Sequence, residues 1–181
     1  MRRALAWIAG VALIAAAALV VQLEPSEDAQ QAPFAQQAQL GERVEGRTHA
    51  VTFTRVVAAT RVHDQRGWSD DGTWIVVDAR IEAMRSESTS LLQHTELQVG
   101  DLRFRASDRP TSMRDTVHTV GVPREGSFAF ELGELPLEGE ATIVLGRSVD
   151  ARLDSTAELR IDLAALEVEA DAEIRSAEWV Q

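Results

Sequence analysis

The sequence predicts an all-β fold, an antiparallel sandwich of seven or eight short strands preceded by one N-terminal transmembrane helix. Three observations predict it. From about Thr48 apolar residues alternate with polar ones, which is the period of a half-buried strand. Turn-forming residues separate the runs: Asp71-Gly72, Pro110, Pro123, Gly126, Pro136, Gly139 and Gly146, the punctuation that short strands need. Behind Arg2 and Arg3, Ala4 to Leu23 carries no charge, and twenty helical residues at about 1.5 Å each match a bilayer's hydrocarbon thickness of about 30 Å.

Residues 1–23 therefore read as a signal anchor or signal peptide. The two arginines belong on the cytoplasmic side. Ala15-Ala16-Ala17 offers a cleavage site, but the apolar run continues through Leu19-Val20-Val21. Signal-peptide apolar regions usually stop at about 7–15 residues, so the sequence favours an uncleaved anchor. The expected location is the cell membrane, single-pass, with the C-terminal domain extracytoplasmic, or secreted if the leader is cleaved. Residues 24–46 are rich in Gln, Ala, Glu and Pro and read as a flexible polar linker. The sandwich is placed at 47–166. The acidic tail at 167–181 reads as frayed, with a short helix around Asp171–Glu178.

Within the sandwich, Val51 and Phe53 alternate with Thr52 and Thr54. The strongest strand runs from Trp74 to Ile81. Its phase Ile75, Val77, Ala79, Ile81 is wholly apolar and is expected to face the core, with Asp78 and Arg80 facing out. Leu97 to Phe104 reads as a hairpin around Gly100-Asp101. That loop length pairs Val99 with Leu102 and Leu97 with Phe104 on one apolar face. Phe128, Phe130 and Leu132, then Ala141, Ile143 and Leu145, then Leu159, Ile161 and Leu163 supply the remaining inward phases.

Four stretches in this order carry a resemblance. They are Gly72-Thr73-Trp74-Ile75-Val76-Val77-Asp78-Ala79, the Leu97–Gly100–Phe104 hairpin, Val122-Pro123-Arg124-Glu125-Gly126-Ser127-Phe128-Ala129-Phe130-Glu131-Leu132, and Ala157-Glu158-Leu159-Arg160-Ile161-Asp162-Leu163. With them the chain resembles bacterial exported domains of unknown function with a telokin-like, immunoglobulin-type sandwich, a group that includes the immunoprotective extracellular antigens. Members often carry Asn after the central strand, where this chain has Ala83-Met84-Arg85. The resemblance implies an immunoglobulin-like, extracytoplasmic and mostly non-enzymatic domain. It transfers no catalytic residue.

Composition narrows the chemistry. The chain has 181 residues, a net charge of −11 and no cysteine, so disulfides, thiol catalysis and thiolate metal sites are excluded. No segment of the domain is basic, which argues against nucleic acid. All 18 basic residues are Arg, and without Lys there is neither Schiff-base chemistry nor a P-loop. His49, His63, His94 and His118 lie 14, 31 and 24 residues apart, without the local spacing of a zinc site. A sandwich that brought His63 and His118 together would be a route to such a site. No cofactor is called for, and no catalytic motif is present.

The candidate partner-binding residues are Trp68, Trp74, Arg109, Arg114 and His118. Trp74 lies on the phase opposite Ile75, so it is either half exposed near Trp68, where aromatics anchor partners, or joins Trp68 in covering the end of the sandwich core. Arg109, Arg114 and His118 sit on the long 106–119 loop, and loops on rigid scaffolds carry function. The expected function is a non-enzymatic binding domain for a protein or cell-envelope partner, held to the membrane through residues 4–23. Two alternatives stand beside it. One is a structural accessory subunit of a membrane transport or secretion complex, and the other is an envelope hydrolase or metal-binding protein.

Overall fold

The computed structural model describes residues 34–85, 91–114, 116–148 and 154–180. The helix expected over residues 4–23 lies outside them, and no helix among the described residues is long and apolar enough to cross a membrane. The strands are β1 (Phe34–Ala38), β2 (Arg43–Glu45), β3 (His49–Asp64), β4 (Ser69–Ala83), β5 (His94–Val99), β6 (Leu102–Arg105), β7 (Arg124–Glu131), β8 (Glu140–Gly146), β9 (Ser155–Asp162), β10 (Val168–Glu169), β11 (Ala172–Ile174) and β12 (Glu178–Trp179). One 3-10 turn, Leu163–Ala165, follows β9.

Two sheets form a sandwich. One has the order β1-β9-β8-β5-β6 and the other β10-β3-β4-β7-β12, with β2 and β11 also paired to β3. The expected inward phase holds on the central strand: Ile75, Val77, Ala79 and Ile81 are fully buried. They pack with Phe53, Leu97, Phe128, Phe130, Ile143 and Leu145 between the sheets. The β5–β6 hairpin has the expected register, Val99 opposite Leu102 and Leu97 opposite Phe104. Leu102 is nevertheless half exposed, because β6 is the edge strand of its sheet.

Four expectations are corrected. The described residues hold twelve strands, where seven or eight were expected. The linker reading fails from Phe34 onward: β1 pairs with β9, and β2 pairs with β3. The tail is neither frayed nor helical, since β10 and β11 pair with β3 and β12 pairs with β7. The sandwich is not purely antiparallel, because β1, β10 and β11 all run parallel to their partners. The physical reason is common to all four. Bare sheet edges expose unpaired backbone groups, and short polar segments from the chain's two flanks satisfy them. Such segments need few apolar residues, so periodicity does not reveal them.

Strand β3 is 16 residues long and changes face twice. Its pairing with β4 shifts register between Phe53 and Arg55 and again between Ala59 and Arg61. One extra residue at each shift moves the following side chains to the other face. Val51 and Phe53 point inward, then Val56 and Ala58 do. Val57, Ala59 and Val62 point to the opposite side, where they meet Trp74, Val76, Ala129, Ala172 and Ile174 in a second, smaller core. The tail segment around β11 closes this core from outside. Its path is clamped to the sheet at Asp78, which the sequence places facing solvent and the structure buries. Ser127 Oγ donates to Asp78 Oδ1 at 2.6 Å. Arg175 Nη2 lies 2.9 Å and Arg55 Nη1 3.4 Å from Asp78 Oδ2.

Candidate functional site

The turn between β3 and β4 falls at Asp64–Trp68, while Asp71-Gly72 lies inside β4. Asp64 organises the turn. Its Oδ1 accepts from the backbone N–H of Arg66 and of Trp68, each at 2.9 Å. Its Oδ2 accepts from the Thr111 N–H at 2.8 Å, which ties the 106–119 loop to the hairpin tip. Burial opposes ionisation of this carboxyl, but the N–H donors of Thr111, Trp68 and Arg66 outweigh it and hold the pKa below the usual value of 3.8.

Above this turn the structure brings three of the five predicted residues together. Trp68 and Trp74 meet edge to face, with centroids 5.9 Å apart and planes at 84°. The Arg109 guanidinium carbon lies 5.6 Å from the Trp68 centroid and 5.1 Å from that of Trp74, within cation–π range of both. Arg109 also pairs with Asp70 at 2.8 Å and with Glu131. Of the two readings of Trp74, the structure excludes half-exposure: it is fully buried. The opposite phase of β4 faces the second core rather than solvent. Trp68 is only partly buried, so the exposed aromatic at this end is Trp68.

His118 lies elsewhere and is buried. It meets His49, not His63, edge to face at 5.8 Å. His63 Nδ1 pairs instead with Asp171 at 2.8 Å, so the route to a shared His63–His118 site is closed. Neither ring nitrogen of His118 has a hydrogen-bond partner. Burial, then the neighbouring His49 and Arg124, push its pKa down to about 4. At neutral pH it is uncharged, and it lies too deep to touch a partner.

Arg114 goes to a third place. It lines a pocket of about 280 Å³ together with His94, Glu96 and Arg105. A wider groove of about 660 Å³ on the outer face of the other sheet holds Arg55, Asp78, Glu169 and Arg175. Its arginines are already matched by acids: Arg55 pairs with Asp78 and Glu169, and Arg175 with Asp78. No group of three or more His, Asp or Glu among the described residues is arranged to hold a metal ion.

Two solved structures are similar to this chain. One is an uncharacterised β-sandwich protein from Clostridium difficile 630, 10% identical with a TM-score of 0.49, matched over 77% of this chain and 100% of that one. The other is a candidate lipoprotein from Staphylococcus aureus subsp. aureus NCTC 8325, 10% identical with a TM-score of 0.48, matched over 74% of this chain and 96% of that one. No protein-family model matches the chain, and no curated protein matches it. Neither structural likeness assigns a ligand or a reaction.

The sequence missed the roles of His94, Glu96 and Arg105. His94 and Glu96 are two apart on β5, which puts them on one face, and β5–β6 pairing sets Arg105 opposite Glu96. The hairpin register carried that signal. The pocket's other wall comes from a loop whose path no periodicity describes.

Proposed function

We propose that this chain is a membrane-tethered, extracytoplasmic and non-enzymatic binding module of immunoglobulin-like, telokin-like type. The observation that carries the reading is the order of two features: an uncharged Ala4–Leu23 run behind Arg2-Arg3, then a β-sandwich without a single cysteine. The first is an address and a tether. The second is a scaffold stabilised by packing alone, and its resemblance to exported sandwich domains rests on the four sequence stretches that form β4, the β5–β6 hairpin, β7 and β9.

In this reading the partner-facing surface is the hairpin end. Trp68 and Arg109 keep exposed surface there, while Asp64 and the stacked Trp74 hold them rigid. A rigid aromatic beside a guanidinium is the kind of anchor that dominates protein interfaces. The partner is a protein or another component of the cell envelope.

Fractionation tests the tether. The full chain is expected in membranes after alkaline carbonate washing, and Leu13→Arg is expected to release it or prevent its export. Protease added outside intact cells is expected to digest the sandwich. Recovery in the soluble cytosolic fraction would sink the reading. A photocrosslinker at Arg66, on the hairpin tip, is expected to capture a partner that the same label at Asp101, in the β5–β6 turn, does not.

A further inference from the structure

The pocket around Arg114 belongs to neither the tether nor the hairpin tip. Strand β5 presents Thr95 and Leu97 inward, both buried, so His94 and Glu96 share the outer face of their sheet. Gly146 stands opposite His94 on β8. A Cβ at Gly146 would lie 3.5 Å from His94 Cβ and 3.1 Å from Thr156 Cγ2, so a larger residue there would crowd the imidazole. On the other side β6 sets Arg105 opposite Glu96, Arg114 approaches from the loop, and Leu91 adds an apolar wall. The result is a recess of about 280 Å³, the size of a small ligand rather than a protein surface.

Two features of the recess point to what fits it. The first is charge. The chain carries −11 overall, yet this recess is lined by two arginines and one acid. That acid is already engaged: Glu96 Oε2 lies 3.5 Å from Arg103 Nη1 and 3.6 Å from His94 Nε2. Arg105 makes no ion pair among the described residues, and Arg114 has only a loose one, 3.6 Å from the largely exposed Asp108. The second feature is polar need. Both ring nitrogens of His94 are buried without a hydrogen-bond partner, Nε2 having only the Glu96 carboxylate at 3.6 Å, and buried polar groups are ordinarily satisfied.

We propose that this pocket binds a small oxyanion, a carboxylate or phosphate group. Arg105 and Arg114 supply the opposing charge and forked N–H donors. His94 donates from a ring nitrogen, with Glu96 beside it 3.6 Å from Nε2. The site is independent of the partner surface at the hairpin tip, so either can fail while the other stands.

Calorimetric titration of the full chain in an uncharged detergent, with inorganic phosphate and separately with acetate, tests the site. One saturable event per chain is expected with at least one probe. Saturation by phosphate alone assigns phosphate groups, and saturation by acetate alone assigns carboxylates. Arg105→Gln and Arg114→Gln are each expected to weaken binding about tenfold or more, and Arg160→Gln, at an exposed position on β9, is expected to leave it unchanged. Thermal melts check that each variant is folded. The nitrogen resonances of the His94 ring in the unsubstituted protein are expected to shift on titration, which needs no variant at all. No saturation by either probe up to about 10 mM, or equal weakening by Arg160→Gln, overturns the proposal.

Discussion

Two buried titratable residues, His118 and Asp64, make the sandwich sensitive to acid in two separate windows. His118 has a folded pKa of about 4 against an unfolded value of 6.5. Between those values the unfolded chain binds the extra proton. The stability that neutral His118 contributes is therefore complete above about pH 6.5 and is lost as pH falls towards about 4. At 1.36 kcal/mol per unit, that loss is at most about 3 kcal/mol. Urea melts across this range are expected to show the slope in the native chain and a flatter one in His118→Phe. An unchanged slope would mean that another group titrates. Asp64 acts lower. Its folded pKa lies beneath 3.8, so its contribution is present above that value and disappears as pH falls through the lowered one. Asp64→Ala strands the N–H groups of Arg66, Trp68 and Thr111 and is expected to cost about 3 kcal/mol at pH 7. Neither role was legible in the sequence, because an aspartate before a turn and a histidine in a loop look alike whether buried or solvated.

Elements show the same divide. Strands with one face on the main core were legible, since Ile75, Val77, Ala79 and Ile81 declare that face by alternation. The second core was not, because it forms on the outer face of a sheet and needs the tail to cover it. Gly126 marks where the tail crosses: a Cβ there would lie 3.0 Å from Ser176 O and 3.2 Å from both Ala177 Cα and Arg175 O. Those neighbours are backbone and cannot rotate away. Gly126→Ala is therefore expected to displace the tail, and faster tryptic cleavage after Arg175 reports it. Cleavage at the native rate would show that the crossing tolerates a methyl group. Asp78→Ala removes the acid shared by Ser127, Arg55 and Arg175. It is expected to cost about 1–3 kcal/mol and to raise hydrogen exchange in β12 before that of β8.

For the whole molecule the test is truncation after Glu167, which removes β10, β11 and β12. Ile174 and Ala172 then no longer cover Trp74 and Val76. The loss of one buried large aliphatic side chain alone sets the scale at about 2–5 kcal/mol. Tryptophan fluorescence is expected to shift to the red as Trp74 meets water, and the melting temperature to fall. A truncated chain with native fluorescence would mean that the tail adds pairing but no core. By itself the sequence determined the all-β class, the inward phase of β4, β7, β8 and β9, the β5–β6 register and the absence of thiol chemistry. These follow from side-chain period and composition, which are local. Only the tertiary structure decided that the flanks at 34–45 and 168–179 close the sheet edges, that Trp74 is buried while Trp68 is not, that His118 meets His49, and that Arg105 and Arg114 converge on His94. Each of these joins residues far apart in the chain through edge pairing or a crossing segment, and such contacts depend on where the sheets leave backbone and surface uncovered, which no local pattern records.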